Sequence, residues 1–430
     1  MSQSLAEKKP RVLISGAGIA GTTLAFWLSK AGIPVTVLER YKEFRKEGQT
    51  VDVRQEALQI LEWMGLQKAV MSLCTKEAGL KIVDSQNTAW ASFPKSKDEN
   101  GYTQKVEILR SSLAKLIFNS CQNNIEYKFG ATIDSIEETE DAVRVTLDGD
   151  ETVFEYDMIV LAEGLLSRNR AKVFKEDIRA PLVRFDVYAI IFSYEQGSTD
   201  NDWARVYHMP KRRVLAVRPD GFSKVRAIAA YCHPSEATRL IASAKTSPAQ
   251  QKEHFIKLFK GSGWESDKIM EGLRKADDMH IYEVAQVKAN TWSKGRVVLL
   301  GDSAYCPSAA TNMGTTAAIV GSYMLASKII KHKSDYQRAF SAYETTLRPW
   351  INDVQRISPG FPALFFPDSI LGVYLLRTLM VLLVIITNSK TFAFVYNIVT
   401  ESNIFGWLHD TPSSQPEPDK FELPPPSIFE

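Results

Sequence analysis

An α/β fold, interrupted by an inserted antiparallel sheet and closed by a C-terminal helical segment, is what this sequence predicts. Three observations carry that expectation. A short apolar run at Val12–Ser15, good helix formers over 19–31 and a β-branched run over 35–38 make a strand–helix–strand unit of about 30 residues. Between 182 and 287, strand-like runs at 187–194, 205–209, 214–218 and 225–231 are separated by Gly, Pro and Asp, as in an antiparallel sheet. From 370 to 386 the chain is almost wholly apolar.

The remaining elements follow in order. Residues 58–64 read as a helix closed by Gly65. Ile82, Val83, Ala89 and Trp90 suggest a hairpin around a polar turn at 84–87. Residues 111–121 read as a helix, with Ser111 or Ser112 as cap and Leu113, Leu116 and Ile117 on one face. Strands are expected at 142–147 and 152–154, joined by Asp148-Gly149. Buried-type strands are expected at Met158–Leu161 and 297–300, and helices at 247–260 and 315–331. The apolar run over 370–386 carries Arg377 and is followed by a second run at 391–399. A spanning helix needs about 20 apolar residues. The run therefore reads either as a helix packed on the domains or lying in a membrane interface, or as a true span. The tail from Thr411, rich in Pro, Ser and Glu, reads as extended on the surface.

The chain has 430 residues, 45% hydrophobic and 24% charged, enough for two or three domains at about 150 residues each. The charge balance, 52 basic against 50 acidic residues, excludes a dedicated nucleic-acid binder. Cys74, Cys121, Cys232 and Cys306 are scattered, without a CxxC pair, so they suggest neither a zinc ribbon nor a disulfide framework. The six histidines show no metal-ligand spacing, and no metal is expected. The polar N-terminus lacks an apolar signal core. The expected location is cytoplasmic, with membrane association through the C-terminal apolar segment as the open alternative.

Three motifs carry chemistry. Gly16-Ala17-Gly18-Ile19-Ala20-Gly21 lies between the first strand and its helix, where a dinucleotide fingerprint must lie. Gly16 permits the tight turn, Gly18 the approach of a pyrophosphate, and Gly21 the packing of helix on sheet. The phosphates would face the positive helix end. Glu39, about 20 residues on, suits a ribose hydroxyl and would repel a 2′-phosphate, favouring FAD or NAD over NADP. This makes the leading domain Rossmann-type. The second motif, 295–304, is a buried strand delivering Gly301-Asp302, followed by Pro307 and by Asn312-Met313-Gly314-Thr315 at a helix start. The third, 157–170, is again a strand, then Ala162-Glu163-Gly164, then Ser167, Arg168 and Arg170.

These three motifs, in this order, resemble the single-component FAD-dependent aromatic hydroxylases, the group A flavoprotein monooxygenases with the p-hydroxybenzoate hydroxylase fold. The resemblance covers roughly residues 10–350. The Tyr305-Cys306-Pro307-Ser308 stretch with Met313-Gly314-Thr315 looks most like the monooxygenases of fungal secondary metabolism and their tetracycline-modifying relatives. The resemblance implies a discontinuous FAD-binding domain over 1–80, 105–180 and 288–350, a substrate domain over 81–104 and 181–287, and C-terminal helices and tail over 351–430. It implies that Gly16, Gly18, Ile19, Ala20 and Gly21 hold the FAD pyrophosphate and that Glu39, with Arg40 beside it, holds the adenosine ribose. Arg110 would lie beside the flavin, and Asp302 would bind its ribityl and pyrophosphate region. The backbone of Pro307, Met313 and Gly314 would border the isoalloxazine, with Gly48 and Arg54 lining the flavin pocket. Three departures stand out: Glu163 where the family usually has Asp, Tyr305 where many members have His, and Asn312 where many have Gly.

By the same resemblance, NAD(P)H reduces the flavin, which takes up O2 as a C4a-hydroperoxide and hydroxylates a small aromatic or polyketide-like molecule in secondary metabolism. No second GxGxxG occurs, so NAD(P)H would visit transiently. His208, Tyr207 and Arg218 are candidates for ionising a phenol, but none is assigned as catalytic. The rivals are an FAD-dependent reductase or epoxidase on the same fold, with membrane binding through the hydrophobic C-terminus as its support, and a flavin-binding protein without activity.

Overall fold

A computed structural model of the chain describes residues 9–44, 50–75, 77–95, 106–121, 125–221, 223–234, 246–388 and 421–430. Its first half runs β1 (Val12–Ser15), α1 (Ile19–Lys30), β2 (Val35–Glu39), β3 (Thr50–Asp52), α2 (Gln55–Trp63), α3 (Gln67–Ser72), β4 (Gly79–Val83), β5 (Ala89–Pro94), β6 (Glu107–Leu109), α4 (Arg110–Asn119), β7 (Ile125–Phe129), β8 (Ile133–Glu138), β9 (Val143–Leu147), β10 (Asp150–Tyr156), β11 (Met158–Leu161) and α5 (Arg168–Phe174). The second half runs β12 (Leu182–Glu195), β13 (Trp203–Met209), β14 (Arg213–Pro219), β15 (Lys224–Cys232), α6 (Pro248–Phe259), α7 (Ser266–Lys275), β16 (His280–Val287), β17 (Ser293–Lys294), β18 (Val297–Leu299), α8 (Asp302–Tyr305), α9 (Gly314–His332), α10 (Tyr336–Val354) and α11 (Ile370–Asn388).

Two large sheets organise these elements. The first has the order β17-β18-β11-β1-β2-β7, parallel except for the short β17 edge. Its central strands are apolar because both faces are covered: Val12, Leu13, Ile14 and Met158–Leu161 are all buried. Helices α1 and α9 pack together, with Trp27 edge-on to Tyr323. Gly321 of α9 leaves room for the Tyr305 hydroxyl, which meets the Tyr343 hydroxyl at 2.9 Å. A three-stranded sheet, β10-β9-β8, stands beside it, with Asp148-Gly149 as the expected hairpin turn.

The second large sheet has the order β16-β12-β15-β14-β13-β4-β5 and is antiparallel except where β13 meets β4. Strand alternation assigns its faces. Leu215, Val217, Ala227 and Ala229 pack against Phe255, Phe259, Ile269 and Leu273 of α6 and α7. The opposite face carries Val214, Ile228 and Ala230. The short ribbon β3–β6 lies at the junction of the two large sheets, where Arg218 of β14 pairs with Glu107 of β6.

Several expectations are corrected. Helix α4 begins at Arg110 directly after β6, with Leu109 as its cap residue; Ser111 and Ser112 fall inside the first turn and cap nothing. Of the two readings of the apolar run, the structure takes the packed helix, α11. Its Met380, Leu383 and Val384 pack on Ile82, Ala91 and Phe93, and Arg377 points inward to donate to the His208 carbonyl at 3.3 Å. No helix among the described residues is long and apolar enough to cross a membrane. The run at 391–399 lies outside the described residues. The end of the tail docks: Phe429 is 2% exposed between Trp27 and Tyr323, and the Tyr323 hydroxyl donates to the Pro424 carbonyl at 2.6 Å. An aromatic ring near the terminus outweighed the polar composition before it.

Candidate functional site

Strands β18, β11 and β1 are neighbours, so all three motifs emerge side by side at the carboxyl edge of one parallel sheet. Ligands of such sheets bind outside the carboxyl ends of the strands. The ladder joins the motifs directly: Ala162 N–H donates to the Ser15 carbonyl at 2.8 Å, and Leu300 N–H to the Leu161 carbonyl at 3.0 Å. Gly16 sits at φ +111°, and a Cβ there would come within 2.4 Å of the Ala162 carbonyl oxygen. A Cβ on Gly21 would lie 1.9 Å from the Gly16 carbonyl oxygen, and one on Gly301 would lie 2.9 Å from the Ala20 side chain. The first motif thus touches both of the others, and Gly16 and Gly21 make their closest approaches to backbone that only glycine allows.

A cleft of about 420 Å³ opens at this edge. Gly16, Gly18, Ile19, Glu39, Arg40, Arg110 and Glu163 line it, together with Arg168 and Lys172. Ala20 and Gly21 lie behind the lining, in the packing of α1. The first turn of α1 has no side-chain cap, so its N–H groups are left for another partner. Gly18 has room beside it: the nearest atom to a Cβ placed there is the Arg110 guanidinium, at 4.0 Å. Arg110 opens α4, where a cation is disfavoured by the helix dipole unless an anion sits nearby. Asp302 supplies part of that charge. Burial holds its carboxyl above the usual range, and Arg110 pulls it back. Glu39 is pinned by the Ala17 and Tyr41 N–H groups, both at 3.1 Å. Arg40 folds over the Tyr41 ring.

Glu163, which stands where the family usually has Asp, lies in the cleft lining but does not offer its carboxylate to a ligand. Its carboxylate is instead filled from within, accepting from the Ser15 and Ser167 hydroxyls at 2.6 Å and from the Asn169 side-chain amide at 2.5 Å. The longer acid ties the third motif to the first. Arg168 and Lys172 were not picked out as lining residues; the arginines of the third motif were the only signal. Arg170 faces inward and donates to the Ser303 carbonyl at 2.9 Å, so the third motif also clasps the second.

The other expected residues form a second group outside that cleft. The Arg54 N–H donates to Thr316 on the first turn of α9, beside Met313 and Gly314. The Pro307 carbonyl accepts from Gln286 of β16 at 3.2 Å, placing this loop against the inserted sheet. Gly48 lies outside the described residues. Asn312 adopts φ +54°, the left-handed conformation that Gly would take without strain. Of the candidate bases, Tyr207 donates to the Ser262 carbonyl at 3.0 Å. His208 is buried, its pKa pushed down to about 4 by desolvation and then by Arg377. Arg218 pairs with Glu77 at 3.0 Å and with Glu107.

Comparison with known proteins agrees with this geometry. A family model described as "FAD binding domain" matches residues 9–357. The chain is 31% identical over 368 residues to FAD-dependent monooxygenase asL4 of Sarocladium schorii, covering 80% of this chain and 85% of that protein. It is 31% identical over 386 residues to monooxygenase CTB7 of Cercospora beticola, covering 87% and 92%. Among solved structures, tetracycline destructase Tet(55) matches with a TM-score of 0.73 at 26% identity, covering 87% of this chain and 96% of that one. Fold and site together define an FAD-dependent monooxygenase, an oxidoreductase. The chain belongs to the FAD-binding-domain family, as a group A flavoprotein monooxygenase related to fungal secondary-metabolism and tetracycline-modifying flavoenzymes.

Proposed function

We propose that the chain hydroxylates a small aromatic or polyketide-like molecule, with NAD(P)H as electron donor and O2 as oxidant. Substrate, O2, NAD(P)H and a proton become hydroxylated substrate, water and NAD(P)+. The reading is supported by the convergence of the three motifs on one sheet edge, and by relatives whose names are those of monooxygenases. Bound FAD supplies the chemistry no side chain offers, storing two electrons and activating O2.

The residues fit that group: an uncapped helix start, a bare Gly18 and a cation at Arg110 suit a pyrophosphate. Gly16, Gly18, Ile19, Ala20 and Gly21 would hold it. Glu39 and Arg40 would meet the adenosine ribose, and Asp302 the ribityl chain. Arg54, Pro307, Met313 and Gly314 would border the ring, facing the side of the inserted sheet that α6 and α7 leave uncovered. Ala216, Ile228 and Tyr282 on that side, all half-buried, offer a flat apolar wall to an aromatic substrate and keep water from it.

The test is a pair of variants. Gly18→Asp places a carboxylate where phosphate would lie, and Asp302→Ala removes the acid; each should give colourless protein, read by flavin absorbance. Full yellow holoenzyme from both would refute the site. In the unaltered protein, an aromatic polyketide should speed flavin bleaching by NADPH under anaerobic conditions by about tenfold or more. In air, oxygen uptake should then match NADPH oxidation.

A further inference from the structure

We propose that the outward face of α11 is a docking surface for an anionic lipid membrane, on which the protein sits without crossing it. The helix has two unlike sides. Val373 and Leu376 are 1% and 2% exposed against the inserted sheet, whereas Leu371 is 76% and Ile385 58% exposed. Leu371, Leu375, Leu379, Leu382 and Ile385 recur every three or four residues and so form one stripe along about 20 Å of helix. Seven of the fourteen exposed large apolar residues among the described ones lie on this single helix. Such concentration marks an interaction surface rather than scattered exposure.

Charge decides the occupant. The one charged residue of α11, Arg377, turns inward, so the outer stripe is uncharged. The chain just before the helix is bound by a basic turn: Lys211 and Arg212, both exposed, donate their N–H groups to the Asp368 and Pro367 carbonyls at 2.7 and 3.1 Å. Asp368 is the acid at this end, and Lys390 follows the helix in sequence. At the rim, Trp90 and Tyr374 lie 6.0 Å apart, both part-exposed, the residue types that settle at the headgroup level. The sequence then continues into a second apolar run at 391–399. An apolar stripe flanked by basic and aromatic residues suits a helix lying in the plane of an anionic membrane surface. Burial of the opposite side on the sheet forbids a spanning orientation.

The experiment is co-sedimentation of the full-length flavoprotein with vesicles of phosphatidylcholine and phosphatidylserine. The protein should pellet with them. The triple variant Leu371→Glu, Leu375→Glu, Leu382→Glu should lose roughly a hundredfold in affinity while keeping its circular dichroism and flavin content, because these side chains face outward. Lys211→Glu with Arg212→Glu should weaken binding to the mixed vesicles and leave binding to pure phosphatidylcholine unchanged. Equal binding by the triple variant would overturn the proposal. So would unbound wild-type protein that sediments as a dimer which the triple variant dissolves, since the stripe would then join two copies. Unbound monomer whose α11 is protected from hydrogen exchange would also overturn it, with residues 391–407 as the cover.

Discussion

In the six-stranded sheet the loops after β1, β11 and β18 meet through bare backbone, whereas in the seven-stranded sheet neighbouring elements meet through paired charges. Gly16 and Gly21 bring carbonyl oxygens to where side chains would otherwise stand. In the inserted sheet, Arg205 meets Asp200 at 2.9 Å and Glu265 at 2.8 Å, Arg226 meets Asp278 at 2.8 Å, and Arg184 meets Glu283. Backbone contacts tolerate no added atom, so the first region assembles in one way and leaves its mark as glycines. Charge pairs can be exchanged for other pairs or for apolar residues of similar volume. The second region can therefore vary while keeping its shape, which the substrate-facing role proposed for it would require.

The largest expected effect breaks the first region. Gly21→Val would drive a Cβ to 1.9 Å from the Gly16 carbonyl oxygen, a backbone atom that cannot yield, with the buried Ile14 side chain 3.2 Å away. The cost should exceed about 4 kcal/mol, and soluble yellow protein should be lost. Gly164→Ala sharpens the point. Gly164 has φ +84° but nothing within 4 Å of a Cβ, so only the backbone penalty of about 1 kcal/mol applies. Comparable melting temperatures for the two variants would show that close approach is not what the glycines provide.

The inserted sheet should respond differently. Arg205→Met leaves Asp200, whose side chain is 2% exposed, with Lys268 as its remaining ion-pair partner, and should cost about 3–5 kcal/mol. Adding Asp200→Asn should recover a measurable part of that loss in urea melts, because the orphaned charge goes with it. No second substitution is expected to rescue Gly21→Val in this way.

This difference also governs what could be read from the sequence. The unit β1–α1–β2, strands β11 and β18, and strands β12 to β15 were legible, because glycine spacing and alternation are local signals. The ribbon β3–β6 was not: each strand has three residues, and they pair across more than fifty positions. Helix α10 was hidden by Pro349 in its interior and β7 by its polar, half-buried edge position. In the site, the glycines and acids of the motifs stood out. The tie made by Glu163 was not legible, because one of the donors that fill it comes from Ser15, which is distant in sequence, and the others from its own loop.

An effect smaller than those at Gly21 and Arg205 is predicted where the two regions join. Asp52, on β3, has its pKa raised from 3.8 to about 6, first by burial and then by Glu107, with Arg218, Arg54 and Lys95 acting the other way. A carboxyl whose pKa is raised on folding binds its proton more tightly in the folded state. Its contribution is therefore fully present below about pH 4 and lost as pH rises through about 6. Above that, the ionised carboxylate costs the fold about 2 kcal/mol after allowance for screening. Asp52→Asn removes the titration. The variant should melt a few degrees above the unaltered protein at pH 8 and at the same temperature at pH 4. A gain of equal size at both pH values would mean that the asparagine side chain simply packs better than that of Asp52, and that the junction carries no strained charge.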